Sequence, residues 1–172
     1  MLIKIEETQA KKLINFFLPS PVLPENSVVL AKGKSNHPLL KALSAFNGIE
    51  RCLLADKFLS VKLSADALTD ELKALILAEI DDYISENNSV RPEKNETEVL
   101  PLAEALADAL VRPTLNRDNG DIVIHGFNNG VLEVQFTGHC AGCPYAQNTL
   151  QNVIAANLQR YVPQIKKISL KE

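Results

Sequence analysis

Between Glu86 and Glu96 the chain reads Glu-Asn-Asn-Ser-Val-Arg-Pro-Glu-Lys-Asn-Glu, its longest stretch almost free of apolar residues. The segments on either side each carry their own hydrophobic periodicity, so one continuous core cannot run through it. The pattern predicts two small domains, 1–88 and 97–172, joined by a linker at 89–96. With 172 residues, 46% apolar and 23% charged, the composition is that of an ordinary globular protein.

Charge and composition remove several classes of function. Lys and Arg number 18 against 21 Asp and Glu, a net charge of −3, with no basic block and only 5% aromatics. Nucleic-acid binding therefore has no footprint. No apolar run approaches the roughly 18 residues of a membrane span. The opening Met1-Leu2-Ile3-Lys4-Ile5-Glu6-Glu7 has neither an apolar signal region nor an Arg-rich amphipathic leader. The expected home is the cytoplasm, a bacterial cytosol first, or a mitochondrial matrix if a leader has been removed. Three cysteines, one alone and two close together, do not form a disulfide framework and suit a reducing compartment.

In the first domain, Leu2–Ile5, Leu13–Leu18 and Val28–Leu30 read as strands, and Ser35-Asn36-His37-Pro38 as the start of a helix reaching Gly48. Ile49–Leu54 and Phe58–Leu63 follow as paired strands. A second helix opens at Thr69-Asp70, with Leu72, Leu75, Ile76, Ile80 and Tyr83 on one face. In the second domain Leu102, Leu106 and Leu110 recur at helical spacing until Arg112-Pro113, where proline should end or kink the helix. Asp118-Asn119-Gly120-Asp121 reads as a turn. Strands Ile122–Phe127 and Val131–Phe136 flank Asn129-Gly130, a strong hairpin signal. A helix then carries Ala146, Leu150, Val153, Ile154 and Leu158 to Pro163, before a last strand, Ile165–Leu170. The fold class is α+β: two small α/β-sandwich-like domains, the second ordered helix, strand, strand, helix, strand.

Chemistry concentrates in Gly138-His139-Cys140-Ala141-Gly142-Cys143-Pro144, between a strand and a helix. Four thiolates, or a thiolate and imidazole mixture, complete a zinc or iron-sulfur site, and the chain offers only two cysteines at ligand spacing. Either a second copy supplies the rest, as for a cluster or a structural zinc, or Cys140 and Cys143 perform thiol-disulfide exchange. Glycines permit the tight turn, and a helix start there would lower the thiolate pKa. A chance pairing of buried thiols is the bland alternative. Cys52 is spaced like a core residue. His37, His125 and His139 lack partners at metal spacing and read as capping or surface groups. No Ser/His/Asp arrangement, phosphate-binding loop or paired buried carboxylates can be assembled, so no enzyme is expected.

Arg112-Pro113, Leu115, Asp118-x-Gly120-Asp121, the hairpin with Gly130, Gly138-x-Cys140-x-Gly142-Cys143-Pro144, Thr149-Leu150 and Pro163-x-Ile165 occur in order over residues 99–170. Together they resemble the C-terminal domain of the NifU-like (Nfu) family of iron-sulfur scaffold and carrier proteins. Glu7-Thr8, Leu13, Phe16, Pro38-Leu39, Leu43, Gly48-Ile49 and Phe58-x-x-Val61 are similar to the Nfu-type N-terminal domain through residue 86. Three departures stand out. Gln9-Ala10-Lys11-Lys12 replaces the family's Pro-Asn-Pro-Asn, Asn119 replaces a glycine, and Ala146 stands where serine is frequent. The resemblance implies a [4Fe-4S] cluster shared by two protomers through Cys140 and Cys143 and handed to apo-proteins. Two thiolate pairs also accommodate [2Fe-2S]. Implied partners are apo iron-sulfur targets, upstream scaffolds or carriers, and a second copy of the chain, with neither nucleic acid nor membrane.

Overall fold

The computed structural model describes residues 2–8, 12–33, 35–64, 67, 70–86 and 98–171. The linker expected at 89–96 and the departure at Gln9-Ala10-Lys11 lie outside the described residues. Two compact units emerge, Met1–Asn95 and Glu96–Glu172, and each is mixed α+β.

The first unit is built on an antiparallel sheet of β1 (Lys4–Thr8), β2 (Leu13–Phe17), β3 (Val28–Ala31), β4 (Ile49–Ala55) and β5 (Phe58–Leu63), ordered β1-β2-β5-β4-β3. Ile14 and Phe16, Cys52 and Leu54, Leu59 and Val61 alternate along their strands and share one face. That face packs on Leu39, Leu40 and Leu43 of α1 (Pro38–Leu43) and on Leu72, Ile76, Ile80 and Tyr83 of α2 (Asp70–Ser85). Three expectations need correction. The helix α1 ends at Leu43 rather than Gly48. Leu75 is 46% exposed, because three residues on from Leu72 it lies about 95° off the centre of the stripe that its neighbours define. The first strand also starts later than expected, at Lys4, where pairing with Phe17 begins.

In the second unit a helix runs as α3 (Val99–Leu106), a π-helical turn at Ala107–Val111, and α4 (Arg112–Asn116). The helix therefore continues through Pro113, where the sequence predicted an end or a kink. The Arg112 N–H donates to the carbonyl of Ala107, five residues back. This slip in bonding immediately before Pro113 is how the helix accommodates a residue that would otherwise clash with the carbonyl four positions earlier. Its buried side is mainly alanine, Ala103, Ala105, Ala107 and Ala109, with Leu106 and Val111.

The sheet of this unit has the order β6-β7-β8, from β6 (Gly120–Asn128), β7 (Val131–Gly138) and β8 (Lys167–Leu170). Asn129 and Gly130 take φ of 48° and 80°, the pair of positive values that an Asn-Gly hairpin turn requires. Leu132, Val134 and Phe136 are buried. Strand β8 joins β7 in parallel, Val131 opposite Lys167, so a crossover must return the chain. The crossover is α5 (Ala146–Thr149), a second π-helical turn at Leu150–Ala155, and α6 (Ala156–Tyr161). It buries Leu150, Ile154 and Leu158.

Candidate metal centre

Strand β7 ends at Gly138, whose φ of 63° turns the chain sharply. Three successive turns follow. Ala141 N–H donates to the Gly138 carbonyl at 3.1 Å, Cys143 N–H to Cys140 at 3.4 Å, and Ala146 N–H to Cys143 at 3.0 Å. These bonds hold both cysteines on one short loop, and both thiols are free and half-buried. Neither is sealed from solvent, and neither is a core residue.

A second segment forms the floor beneath the loop. The Cys140 sulfur rests where a Cβ on Gly120 would stand, and the Cys140 backbone nitrogen lies 3.3 Å from that same point. His139 N–H donates to the Asn119 carbonyl at 3.0 Å, and a Cβ on Gly138 would meet that carbonyl. Asn119 itself takes φ of 56°, a conformation asparagine tolerates, so the turn survives the loss of the family's glycine.

The thiol electrostatics differ from the sequence expectation of a lowered pKa. Desolvation pushes the Cys140 pKa above that of a free thiol, and Cys143, Asp118 and Asp121 add to the rise. The helix that follows starts only at Ala146, three residues beyond Cys143 and six beyond Cys140. Pro144 accordingly lies in the preceding turn, not the first helical turn.

The remaining candidates fall elsewhere. His139 is exposed. His125 is exposed and pairs through Nε2 with Gln135 Oε1 at 2.9 Å. His37 was expected to cap α1 or face solvent. It does occupy the capping position, without a side-chain cap bond, but it is buried, its Nε2 lying 3.3 Å from the Tyr83 hydroxyl. Burial pushes its pKa below the free value. Cys52 is buried in β4, its pKa driven up to about 12 by desolvation while Arg51 pulls weakly the other way. Such a thiol stays protonated and inert. Among the described residues no three His, Cys, Asp or Glu side chains gather as a metal site.

Sequence reasoning missed the group behind the floor. Arg112 is buried, with Nη1 2.7 Å from Asp108 Oδ1 and 3.1 Å from Glu104 Oε2, Nε 3.2 Å from Asp121 Oδ1, and Nη2 donating to the Ile122 carbonyl at 3.1 Å. Burial works against its charge, but the carboxylates of Asp108, Glu104 and Asp121 outweigh it and raise the guanidinium pKa. The available signal was the spacing of Glu104, Asp108 and Arg112 at four-residue intervals on one helix.

Comparison with known proteins agrees with this anatomy. Residues 3–87 match the family model described as scaffold protein Nfu/NifU N terminal, and residues 104–169 match the NifU-like domain. The chain belongs to the Nfu family. Among Nfu relatives, the NFU1 iron-sulfur cluster scaffold homolog, mitochondrial, of Drosophila virilis is 25% identical over 98% of this chain and 61% of its own length. The human protein of that name is 26% identical over 98% and 71%. NifU-like protein 5, mitochondrial, of Arabidopsis thaliana is 27% identical over 98% and 67%. The chain thus spans about three fifths of the length of the first Drosophila relatives it matches. A solved structure, protein SAV1430 from Staphylococcus aureus, aligns with a TM-score of 0.37 at 16% identity, covering 49% of this chain and 99% of that one.

Proposed function

We propose that this Nfu chain is a non-enzymatic iron-sulfur scaffold or carrier, in which Cys140 and Cys143 of two protomers together hold a [4Fe-4S] cluster for transfer to apo-proteins. The observation that carries the proposal is a half-exposed pair of free thiols on one turn, two ligands where a cluster uses four. A two-fold arrangement of copies would bring the second pair into place. The cluster is cargo here: held at the surface by loop residues, it stays within reach of a recipient. Relatives named as iron-sulfur cluster scaffolds support the role. The first unit would tune the choice of partner, and upstream carriers would load the site. An aqueous compartment, cytosol or matrix, suits free thiols, and no described helix is long and apolar enough to cross a membrane.

The names those relatives carry are of scaffolds and not of thiol-disulfide catalysts, which favours this reading over the redox alternative. Anaerobic addition of ferrous iron and sulfide should convert monomer to dimer carrying about four irons, or about two for a [2Fe-2S] cluster. Cys140→Ala or Cys143→Ala should abolish retention, and Cys52→Ala should preserve it. A monomer that takes up no iron, or loss of cluster only on Cys52→Ala, would overturn the proposal.

A further inference from the structure

Two of the four polar contacts of Arg112 reach the start of β6, and the other two stay on its own helix. Nε holds Asp121 and Nη2 holds the Ile122 carbonyl, while Asp121 Oδ1 also accepts the Ile122 N–H at 2.8 Å. The first outward-facing backbone groups of this edge strand are therefore occupied by side chains rather than left to water or another strand. Gly120 immediately precedes this clamp, and the Cys140 sulfur lies against Gly120 where no Cβ can stand. A Gly120 held in place gives the sulfur a fixed surface to rest on.

We infer that Arg112 is a positioning residue for the thiol loop, acting through Asp121 and Gly120 to hold the Cys140 sulfur in place. The inference builds on the proposed cluster site only for its purpose, since the contacts exist in a single chain without a cluster. Arg112 touches neither cysteine. Its planar fork reaches two backbone-adjacent partners on β6 and two carboxylates on its own helix at once, which an ammonium cannot reproduce. A purely structural ion pair would stabilise the unit as a whole. A positioning role adds that its loss frees Cys140 before it frees Cys143.

The test uses the full chain without metal, alkylated by iodoacetamide under native conditions, with each cysteine followed by fragment-ion mass spectrometry. Arg112→Lys and Asp121→Glu both conserve charge, and because the Asp121 carboxylate also acts on the Cys140 thiol, rates are compared as their limiting values at high pH, where ionisation no longer enters. Each should raise the alkylation rate of Cys140 relative to Cys143 about tenfold through more frequent local opening. The double variant should do no more than either alone, because both break one link. Cys52 should stay protected throughout. An unchanged ratio, an equal acceleration of both cysteines, or effects that multiply in the double variant would overturn the inference. Should Arg112→Lys fail to fold, Asp121→Glu, at a side chain 40% exposed, decides alone. Iron uptake by the parent chain is measured in parallel. A changed ratio in a parent that binds no iron defeats the cluster proposal and leaves this one standing, and an unchanged ratio in a parent that binds iron does the reverse.

Discussion

At Gly120 a single missing carbon makes room for a sulfur. Gly120→Ala would place a methyl on the site of Cys140 Sγ and close to its Cβ at 2.9 Å, and the backbone there has no slack because it is clamped on both sides. The expected outcome is loss of cluster retention with the unit still folded, read as absent visible absorbance after reconstitution alongside an unchanged far-ultraviolet circular dichroism spectrum. Asp108 offers a contrasting test. Its side chain is 7% exposed and bonds the Arg112 guanidinium at 2.7 Å, so Asp108→Ala leaves a buried cation short of one partner and should cost about 3 kcal/mol of stability by chemical denaturation. The cysteine pair was legible in the sequence because ligand spacing survives any fold. The contact between Gly120 and Cys140 was not, since it joins residues twenty apart and no local pattern encodes it.

Among the elements, α1 and α2 meet at His37 and Tyr83, whose rings lie 5.4 Å apart between centroids. Burial holds the His37 pKa below its free value of 6.5, so the folded state favours the neutral ring. The stability this contributes is complete above the free value and is lost as pH falls through the lowered folded value. Unfolding midpoints measured from pH 7 downward should decline on the acid side, and His37→Phe should flatten that decline. Helices and strands were visible in the sequence wherever apolar residues recur at 3.6 or 2.0, as in β5, α2 and the β6–β7 hairpin. Both π-helical turns were invisible: one inserted residue rotates the following stripe by about 100°, but the apolar residues on either side, Leu102, Leu106 and Leu110 or Leu150, Ile154 and Leu158, still recur at ordinary helical spacing and give no sign of it. His37 was misjudged for a related reason. A polar residue before Pro38 looks like a cap, and only the packing of α2 forty-six residues later covers it.

On the scale of the whole molecule, each unit has its own hydrophobic interior. Ile76 is fully buried beneath the first sheet, and Ile76→Ala should cost about 2–5 kcal/mol, measured as faster alkylation of Cys52, the thiol sealed in that same core. The second unit closes differently. Strand β7 receives β8 only after the crossover has looped back, and both cysteines lie on the turns that lead from β7 into that crossover, between Val131 and its distant neighbour Lys167. Closing so long a segment costs chain entropy that the pairing itself must offset. Both thiols thus lie inside a long loop whose two ends are tied together by strand pairing, so whatever unzips β8 from β7 also slackens the segment that carries them.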